Sequence, residues 1–341
     1  LQIEQESDLA KRVALLEQFV QEFSGDAALL GYRRLQANYL QLGELDKAIL
    51  AGLHVLRLDP SDFSAMANLM RAFAQKQDVE QAFNYGTLAA GLIQRLKTME
   101  PPADTSPEVW QEQKRSLLAG VQADYQYVDY TLYTLASQES DPAKQGELLE
   151  RYLAAFSDSP YLALAYQTCL IAYQRLGNLD KVLEVGERAL AALPDNLGLT
   201  LHLALTLAEG GQHLPRAQEL AQKVPALADK MTRPQDQTEE QWASQQNAWR
   251  GLAQSLLGMI LMHQGSTKEA IEKFREAEPL LVTSPVDHAR NLYWLGFAYA
   301  KLGRLDSARR YLQEAVAIES PYQAAALAAA SSSAKRMNCS S

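Results

Sequence analysis

Cysteine is almost absent from this sequence, which holds only Cys169 and Cys339 in 341 residues. Two cysteines give neither a disulfide framework nor a spacing suited to zinc, because a structural zinc site needs four closely spaced Cys or His ligands. Cys169 falls on a predicted core stripe and Cys339 in a serine-rich tail. We therefore expect two unrelated thiols rather than a bridge.

Long apolar runs and an excess of positive charge are also missing. No apolar segment approaches the roughly 20 residues that span a bilayer, so no membrane span is predicted. The 32 basic and 41 acidic residues give a formal charge of −9, which argues against nucleic-acid binding because that function needs a concentrated basic surface. We expect a soluble protein, either cytoplasmic or exported with its signal peptide removed, and the compartment and oligomeric state stay open.

Motifs for catalysis are missing as well. The sequence has no glycine-rich phosphate loop, no GxSxG motif and no HExxH motif, and its five histidines lack the spacing of metal ligands. Asp124 and Asp129 lie near four tyrosines, but a solvated helix face accounts for both carboxylates. We therefore predict a protein that is not an enzyme, with no catalytic residue, no metal and no cofactor.

The segment 291–315 has the pattern of two short amphipathic helices joined by a turn at Gly303. Apolar or small residues recur at the three- and four-residue steps of a helix. They are Leu292, Leu295, Gly296 and Tyr299 in the first helix and Ala308, Leu312 and Ala315 in the second. This order, Leu-x2-Leu-Gly-x2-Tyr followed by Ala-x3-Leu, resembles the tetratricopeptide repeat family.

The same order returns elsewhere in the chain. Leu35, Tyr39 and Ala48 are followed 34 residues later by Leu69, Phe73 and Ala82, which is the period of that family, although Gln77 replaces the turn glycine. On a larger scale Gly43, Gly52 and Pro60 recur 134 residues later as Gly177, Gly186 and Pro194, and Trp110 recurs as Trp242. The sequence thus predicts a tandem duplication of a multi-helix module.

The resemblance to multi-repeat, bacterial-type proteins of this family implies an all-α fold. The expected architecture is an α-solenoid, a right-handed superhelix of roughly seven antiparallel helix pairs forming a single domain over 5–336. We predict tandem modules at 6–138 and 139–271, a final repeat at 283–320, a C-terminal capping helix at 321–334 and a flexible tail at 337–341. The segment 125–133 alternates like a strand, but its phasing by threes and fours favours a helix.

The resemblance also implies a function and a site. It implies a non-enzymatic scaffold or adaptor that binds a peptide or helix of a protein partner in a concave groove lined by the first helices. A carrier or sensor of an apolar small molecule in the same groove is the alternative. The groove positions are Arg33, Asn68, Arg71, Tyr127, Tyr130, Gln167, Ile171, His202, Leu205, Met259, Met262, Tyr293, Trp294, Phe297 and Lys301.

Some of these positions carry more specific expectations. Tyr293, Trp294 and Phe297 are the predicted anchor, because other residues already fill the core positions of their repeat and aromatic side chains commonly anchor interfaces. Met259 and Met262 are either core packing or an adaptable surface. Arg33 and Asn68 occupy positions comparable to those of a clamp for a terminal carboxylate in the family, although Ala37 departs from that pattern.

Overall fold

The structure, a computed structural model, describes residues 2–338, with side chains for most positions up to 331. Over these residues it contains sixteen α-helices, short 3₁₀ helices at Gln2–Gln5 and Glu278–Leu280, and no strand, which confirms the all-α prediction. The α-helices are α1 Leu9–Glu22, α2 Asp26–Leu42, α3 Leu45–Leu58, α4 Phe63–Gln75, α5 Val79–Thr98, α6 Pro107–Gln138, α7 Pro142–Ala155, α8 Leu162–Arg175, α9 Leu179–Ala192, α10 Leu197–Gly210, α11 Leu214–Lys230, α12 Glu239–His263, α13 Thr267–Ala277, α14 Pro285–Lys301, α15 Leu305–Val316 and α16 Gln323–Asn338.

Helices that follow each other in the chain pack as hairpins, among them α2 with α3, α4 with α5, α10 with α11, α12 with α13 and α14 with α15. The segment 125–133 lies inside α6, so the helical reading of that segment is confirmed. α16 packs against α14 and α15, at the place where a capping helix is predicted. Residues 339–341 of the predicted tail, and Cys339 with them, lie outside the described residues.

The chain divides into two compact units. The N-terminal unit comprises the residues up to Ala172, and the C-terminal unit the residues from Tyr173. The first has a core cluster on α1, α2 and α3 that includes Leu16 and Leu35. The second has a cluster on α10, α11 and α12 that includes Val224 and Ala253. The predicted limits of the tandem modules stay predictions.

The tight turns between paired helices depend on a residue in the left-handed backbone conformation. Gly43 and Gly303 adopt φ values of 74° and 73° after α2 and α14, where glycine carries no steric penalty. Gln77, which replaces the glycine between α4 and α5, adopts φ 60°. The turn geometry is therefore kept even where the sequence departs from the glycine pattern, at the cost of placing a side chain in a sparsely populated conformation.

Paired helices approach closely because a small residue on one faces a large residue on the other. A Cβ atom added at Gly258 of α12 would lie 2.6 Å from Cε1 of Phe274 on α13. In the next hairpin a Cβ atom at Gly296 of α14 would lie 2.7 Å from Cγ of Leu312 on α15. Since Phe274 and Leu312 are fully buried, these glycines set how closely the helices of each hairpin pack.

The duplication is visible in how the two longest helices begin. Ser106 and Thr238, 132 residues apart, are the N-caps of α6 and α12. In the N-terminal unit, Trp110 Nε1 donates to the Met99 carbonyl at 3.0 Å, and Lys114 Nζ donates to the Lys97 and Met99 carbonyls, both at 3.1 Å. These contacts satisfy carbonyls at the end of α5 that have no partner within the helix, which gives Trp110 a structural role.

The equivalent contact in the C-terminal unit uses a neutral side chain. Gln246, 132 residues after Lys114, donates from Nε2 to the Ala228 carbonyl near the end of α11 at 3.2 Å. In both units, therefore, a polar side chain on the long helix caps the helix before it. The ammonium of Lys114 also interacts favourably with the negative end of the helix dipole.

Replacement of Lys114 should expose the importance of this cap. We expect Lys114→Met to lower the free energy of unfolding by about 1.5–3 kcal/mol, because two charge-assisted hydrogen bonds to carbonyls at the end of α5 are lost. Urea denaturation and amide hydrogen exchange at the end of α5 would measure the loss. Lys11→Met, at an exposed position of α1, is the matched control, and equal losses in both variants would contradict a capping role.

None of the described helices combines the length and the apolar character of a membrane-spanning segment.

Candidate functional site

Three aromatic side chains of α14, called here the aromatic cluster, lie in mutual contact: Tyr293, Trp294 and Phe297. The ring centroids of Trp294 lie 5.9 Å from those of Tyr293 and Phe297, both edge to face, and Tyr293 stacks on Phe297 at 6.4 Å. Phe297 is 42% exposed, whereas Leu295 and Tyr299 on the same helix are buried. The core positions of the hairpin are thus occupied by other residues, as the sequence predicts.

His263, at the end of α12, lies beside the cluster. Its ring centroid is 5.8 Å from that of Trp294. On its other side a Cβ atom at Gly211 would lie 2.9 Å from the His263 ring, so glycine is needed there for space as well as for its φ of 66°. The imidazole therefore lies between the turn after α10 and the aromatic cluster.

The indole N–H of Trp294 has no acceptor. Its Nε1 atom is buried and makes no hydrogen bond with any described residue. A buried donor left without a partner costs about 1–3 kcal/mol. The cluster therefore contains a donor whose satisfaction would stabilise any arrangement that provides an acceptor.

A network centred on Arg290 lies one helical turn before the cluster. Arg290 is 7% exposed; its Nε donates to the Tyr322 hydroxyl at 2.8 Å and its Nη1 to Asp287 Oδ1 at 2.6 Å. Nε also lies 3.3 Å from Glu209 Oε1, and the Tyr322 hydroxyl donates to Glu209. Burial raises the pKa of Tyr322 to about 12, so the hydroxyl keeps its proton for this bond.

This Arg290 network joins elements that are far apart in the chain, because Glu209 is on α10, Arg290 on α14 and Tyr322 just before α16. Tyr322 also contacts Tyr293, with ring centroids 5.9 Å apart. The sequence analysis missed the network. A signal was present in the charged Arg290, three residues before Tyr293 and on the same helical stripe as an aromatic cluster.

The other predicted groove residues of the C-terminal unit differ in accessibility. Lys301 is exposed, and His202 and Leu205 are half-buried. Burial lowers the pKa of His202, and its Nε2 atom has no hydrogen bond with a described residue. Met259 and Met262 are 0% and 4% exposed, which favours packing over an adaptable surface for both methionines.

In the N-terminal unit Arg33 is already paired. Its Nη2 atom lies 2.9 Å from Asp59 Oδ2, and its Nε donates to Asp62, the buried N-cap of α4. Asn68, the other residue compared with a carboxylate clamp, is half-buried. A guanidinium held by two carboxylates is poorly placed to receive a third, so the geometry argues against a clamp for a terminal carboxylate here.

Arg71 and Tyr127 are brought together by the packing of α4 on α6. The guanidinium carbon of Arg71 lies 4.5 Å from the Tyr127 ring centroid, and its Nη2 is 3.9 Å from Asp124. Tyr130 is exposed and contacts Tyr161, with ring centroids 5.9 Å apart. The tyrosine face of α6 thus gains Tyr161, which lies too far along the chain for helical periodicity to place it there.

The two predicted groove residues of α8 are accessible. Gln167 and Ile171 are exposed and lie one helical turn apart. They share one face of the helix, because a step of four residues returns to nearly the same direction.

Asp129 does not lie on a solvated helix face, and that expectation was wrong. The residue is 4% exposed. Its Oδ1 atom accepts hydrogen bonds from the Tyr152 hydroxyl at 2.5 Å and from Ser159 Oγ at 2.9 Å. Burial raises the pKa of Asp129, although these two hydrogen bonds partly oppose the rise. The cause is the packing of α7 and the segment after it onto α6, which the sequence of α6 alone does not encode.

Comparison with known protein families finds the same repeat. The family model described as tetratricopeptide repeat matches residues 289–321, which contain most of α14 and all of α15. The same helix order and turn geometry recur in other hairpins of the chain. This chain is therefore a protein of tetratricopeptide repeats, a class that generally mediates interactions between proteins.

Several solved structures are similar to it. A variant of a putative kinesin light chain with nearly identical TPR-like repeats from Podosopora anserina has 20% identity and a TM-score of 0.41, covering 56% of this chain and 93% of that one. A second structure of that protein has 19% identity and a TM-score of 0.34, covering 66% and 97%. A tetratricopeptide repeat protein from Parabacteroides merdae ATCC 43184 has 15% identity and a TM-score of 0.31, covering 85% and 92%. No curated protein matches the chain.

Proposed function

We propose that this protein is a non-enzymatic scaffold that binds a helix or an extended segment of a partner protein against the aromatic cluster of α14. The observation that supports the proposal most strongly is the exposure of Phe297, 42%, in contact with Trp294 and next to Tyr293. Large aromatic side chains that are not needed for the core are the usual anchors of protein interfaces. The class of repeat, whose general role is protein interaction, supports the same function.

The charge beside the cluster indicates the chemistry of the partner segment. Lys301 follows Phe297 by four residues, so the two side chains share one face of α14. Lys301 is exposed and makes no ion pair with the described residues. A segment with an apolar side chain on Phe297 and a carboxylate near Lys301 would match both groups. The apolar contact dominates, because an exposed ion pair contributes only about 0–1 kcal/mol.

Trp294 gives the site a directional element. Its N–H lacks an acceptor among the described residues, and a carbonyl of the bound segment would supply one after a small rotation of the ring. Such a bond would exist only in the complex. We therefore expect Trp294→Phe to weaken binding less than Trp294→Ala does, because phenylalanine keeps much of the apolar surface but not the donor.

Truncation of the cluster should remove the partner in a pull-down experiment. We expect Trp294→Ala and Phe297→Ala each to weaken the binding of a partner that the wild-type protein retains, by about tenfold or more, as is typical of aromatic anchors. The captured proteins would be quantified by mass spectrometry against the wild-type protein.

Val282→Ala is the matched control, because Val282 is an exposed apolar residue of the same unit outside the cluster. Circular dichroism would confirm that all variants remain folded. Equal retention of the partner by Trp294→Ala, Phe297→Ala and the wild-type protein would show that the cluster is not the anchor.

A further inference from the structure

A cavity of about 230 Å³ lies in the N-terminal unit, between α5, α6 and the segment that joins α7 to α8. One part of its wall is aliphatic and comes from Ile93, Leu118, Val121 and Pro160. At roughly 30 Å³ for each water molecule of the liquid, this volume is large enough for a small organic group. The aromatic cluster lies in the other unit, so a function of this cavity does not depend on the proposed function.

The polar part of the wall includes the carboxylate of Asp129. This side chain is only 4% exposed, yet it lines the cavity. Oδ1 is occupied by the hydroxyls of Tyr152 and Ser159. Oδ2 accepts no hydrogen bond from the described residues. A buried carboxylate with one unsatisfied oxygen is costly unless a donor or a cation completes it.

The charges around the cavity do not balance. Its lining contains two carboxylates, Asp129 and Asp158, and one ammonium group, Lys97. Lys97 Nζ donates to Asp158, which also accepts from Gln94 Nε2 at 3.2 Å. Lys97 is therefore engaged at Asp158, and the charge of Asp129 has no partner of opposite sign among the described residues. The cavity combines an uncompensated negative charge with an aliphatic wall.

We propose that this cavity binds a primary ammonium group carried on a short aliphatic chain. The ammonium group donates a hydrogen bond to Oδ2 of Asp129, and the methylene groups lie against Ile93, Leu118 and Val121. The ligand is either a small free amine or the side chain of a lysine in a polypeptide, which present the same chemistry to the cavity. A neutral alcohol of equal length would fill the aliphatic part but leave the carboxylate without a counter-ion.

The test is a calorimetric titration of the full chain with n-butylammonium, with 1-butanol as the neutral probe of equal length. We expect the wild-type protein to bind n-butylammonium and not 1-butanol. Asp129→Asn should weaken the binding by about tenfold or more, because the charge-assisted contact is lost. Asp124→Asn is the matched control on the same helix, since Asp124 is exposed and outside the cavity, and it should bind as the wild-type protein does.

Leu118→Phe separates loss of the site from loss of the fold. It reduces the cavity without touching the carboxylate and should also weaken binding, while circular dichroism shows that both variants keep their helices. Equal binding of n-butylammonium and 1-butanol, no binding of n-butylammonium, or full binding by Asp129→Asn would overturn the proposal. Tighter binding of Nα-acetyl-lysine methylamide than of n-butylammonium assigns the cavity to lysine side chains, and weaker binding assigns it to a free amine.

Discussion

Phe274→Ala is expected to lower the free energy of unfolding by about 3–5 kcal/mol, the range for truncation of a fully buried aromatic side chain. Phe274 is fully buried and its ring lies over Gly258, on the facing helix of the same hairpin. The loss combines removed apolar contact with the cavity that remains. Urea denaturation measures the loss, and hydrogen exchange of the α12 and α13 amides locates it, because repeat proteins open locally.

The same hairpin allows a sharper test, in which a substitution changes sign. Gly258→Ala in the wild-type protein should be destabilising by about 1–3 kcal/mol, because the new Cβ would lie 2.6 Å from Phe274. In the Phe274→Ala background the ring is gone, and Gly258→Ala should instead stabilise by about 0.5–1 kcal/mol through helix propensity.

Gly91→Ala is the matched control. Gly91 is on α5, and a Cβ atom added there meets nothing within 4 Å, so the substitution should be stabilising in any background. If Gly258→Ala and Gly91→Ala had the same effect in the wild-type protein, the close packing of α12 on α13 at Gly258 would be wrong.

Arg290→Met is expected to lower the free energy of unfolding by about 3 kcal/mol. Arg290 is buried, and its removal leaves Glu209, Asp287 and the Tyr322 hydroxyl without their donor. Breaking a buried ion pair on one side costs about 3–5 kcal/mol, and the lower end applies because both carboxylates keep some contact with solvent. Chemical denaturation gives the size of the effect, and faster exchange of the α16 amides would show which contact is lost.

Arg115→Met is the control for Arg290→Met. Arg115 forms an exposed pair with Glu112, at 2.6 Å, on the surface of α6, and such pairs contribute about 0–1 kcal/mol. Adding Glu209→Gln to Arg290→Met should recover part of the stability, because it removes one of the stranded charges. A loss for Arg290→Met as small as that for Arg115→Met would show that the Arg290 network does not hold α10, α14 and α16 together.

The helices and their turns were predictable because their determinants are local. The stripe of Leu292, Leu295 and Tyr299 has the period of a helix, and Gly303 supplies the left-handed residue that ends α14. Gln77 shows the limit of local patterns, because it takes the same conformation without the residue type that favours it. The duplication was equally readable, since Trp110 and Trp242 lie at equivalent positions of two long helices.

The aromatic cluster was predicted as a group, and its three rings do lie in contact. Its surroundings were not predictable, because they come from residues distant in the chain: His263 from α12, and Tyr322 through the Arg290 network. Asp129 failed for the same reason, since it is buried by residues 23 and 30 positions later. Periodicity shows which face of a helix is apolar, but it does not show which polar residues another element will cover.

The proposed function requires that a partner protein lie against the aromatic cluster, and site-specific photocrosslinking detects such a contact directly. Phe297→p-benzoylphenylalanine places a reactive group at the exposed ring, and the same change at Val282 is the control. We expect an adduct with one partner protein from position 297, absent from position 282 and lost when Trp294→Ala is added. The same adduct from both positions, or no adduct from position 297, would contradict partner binding at the cluster.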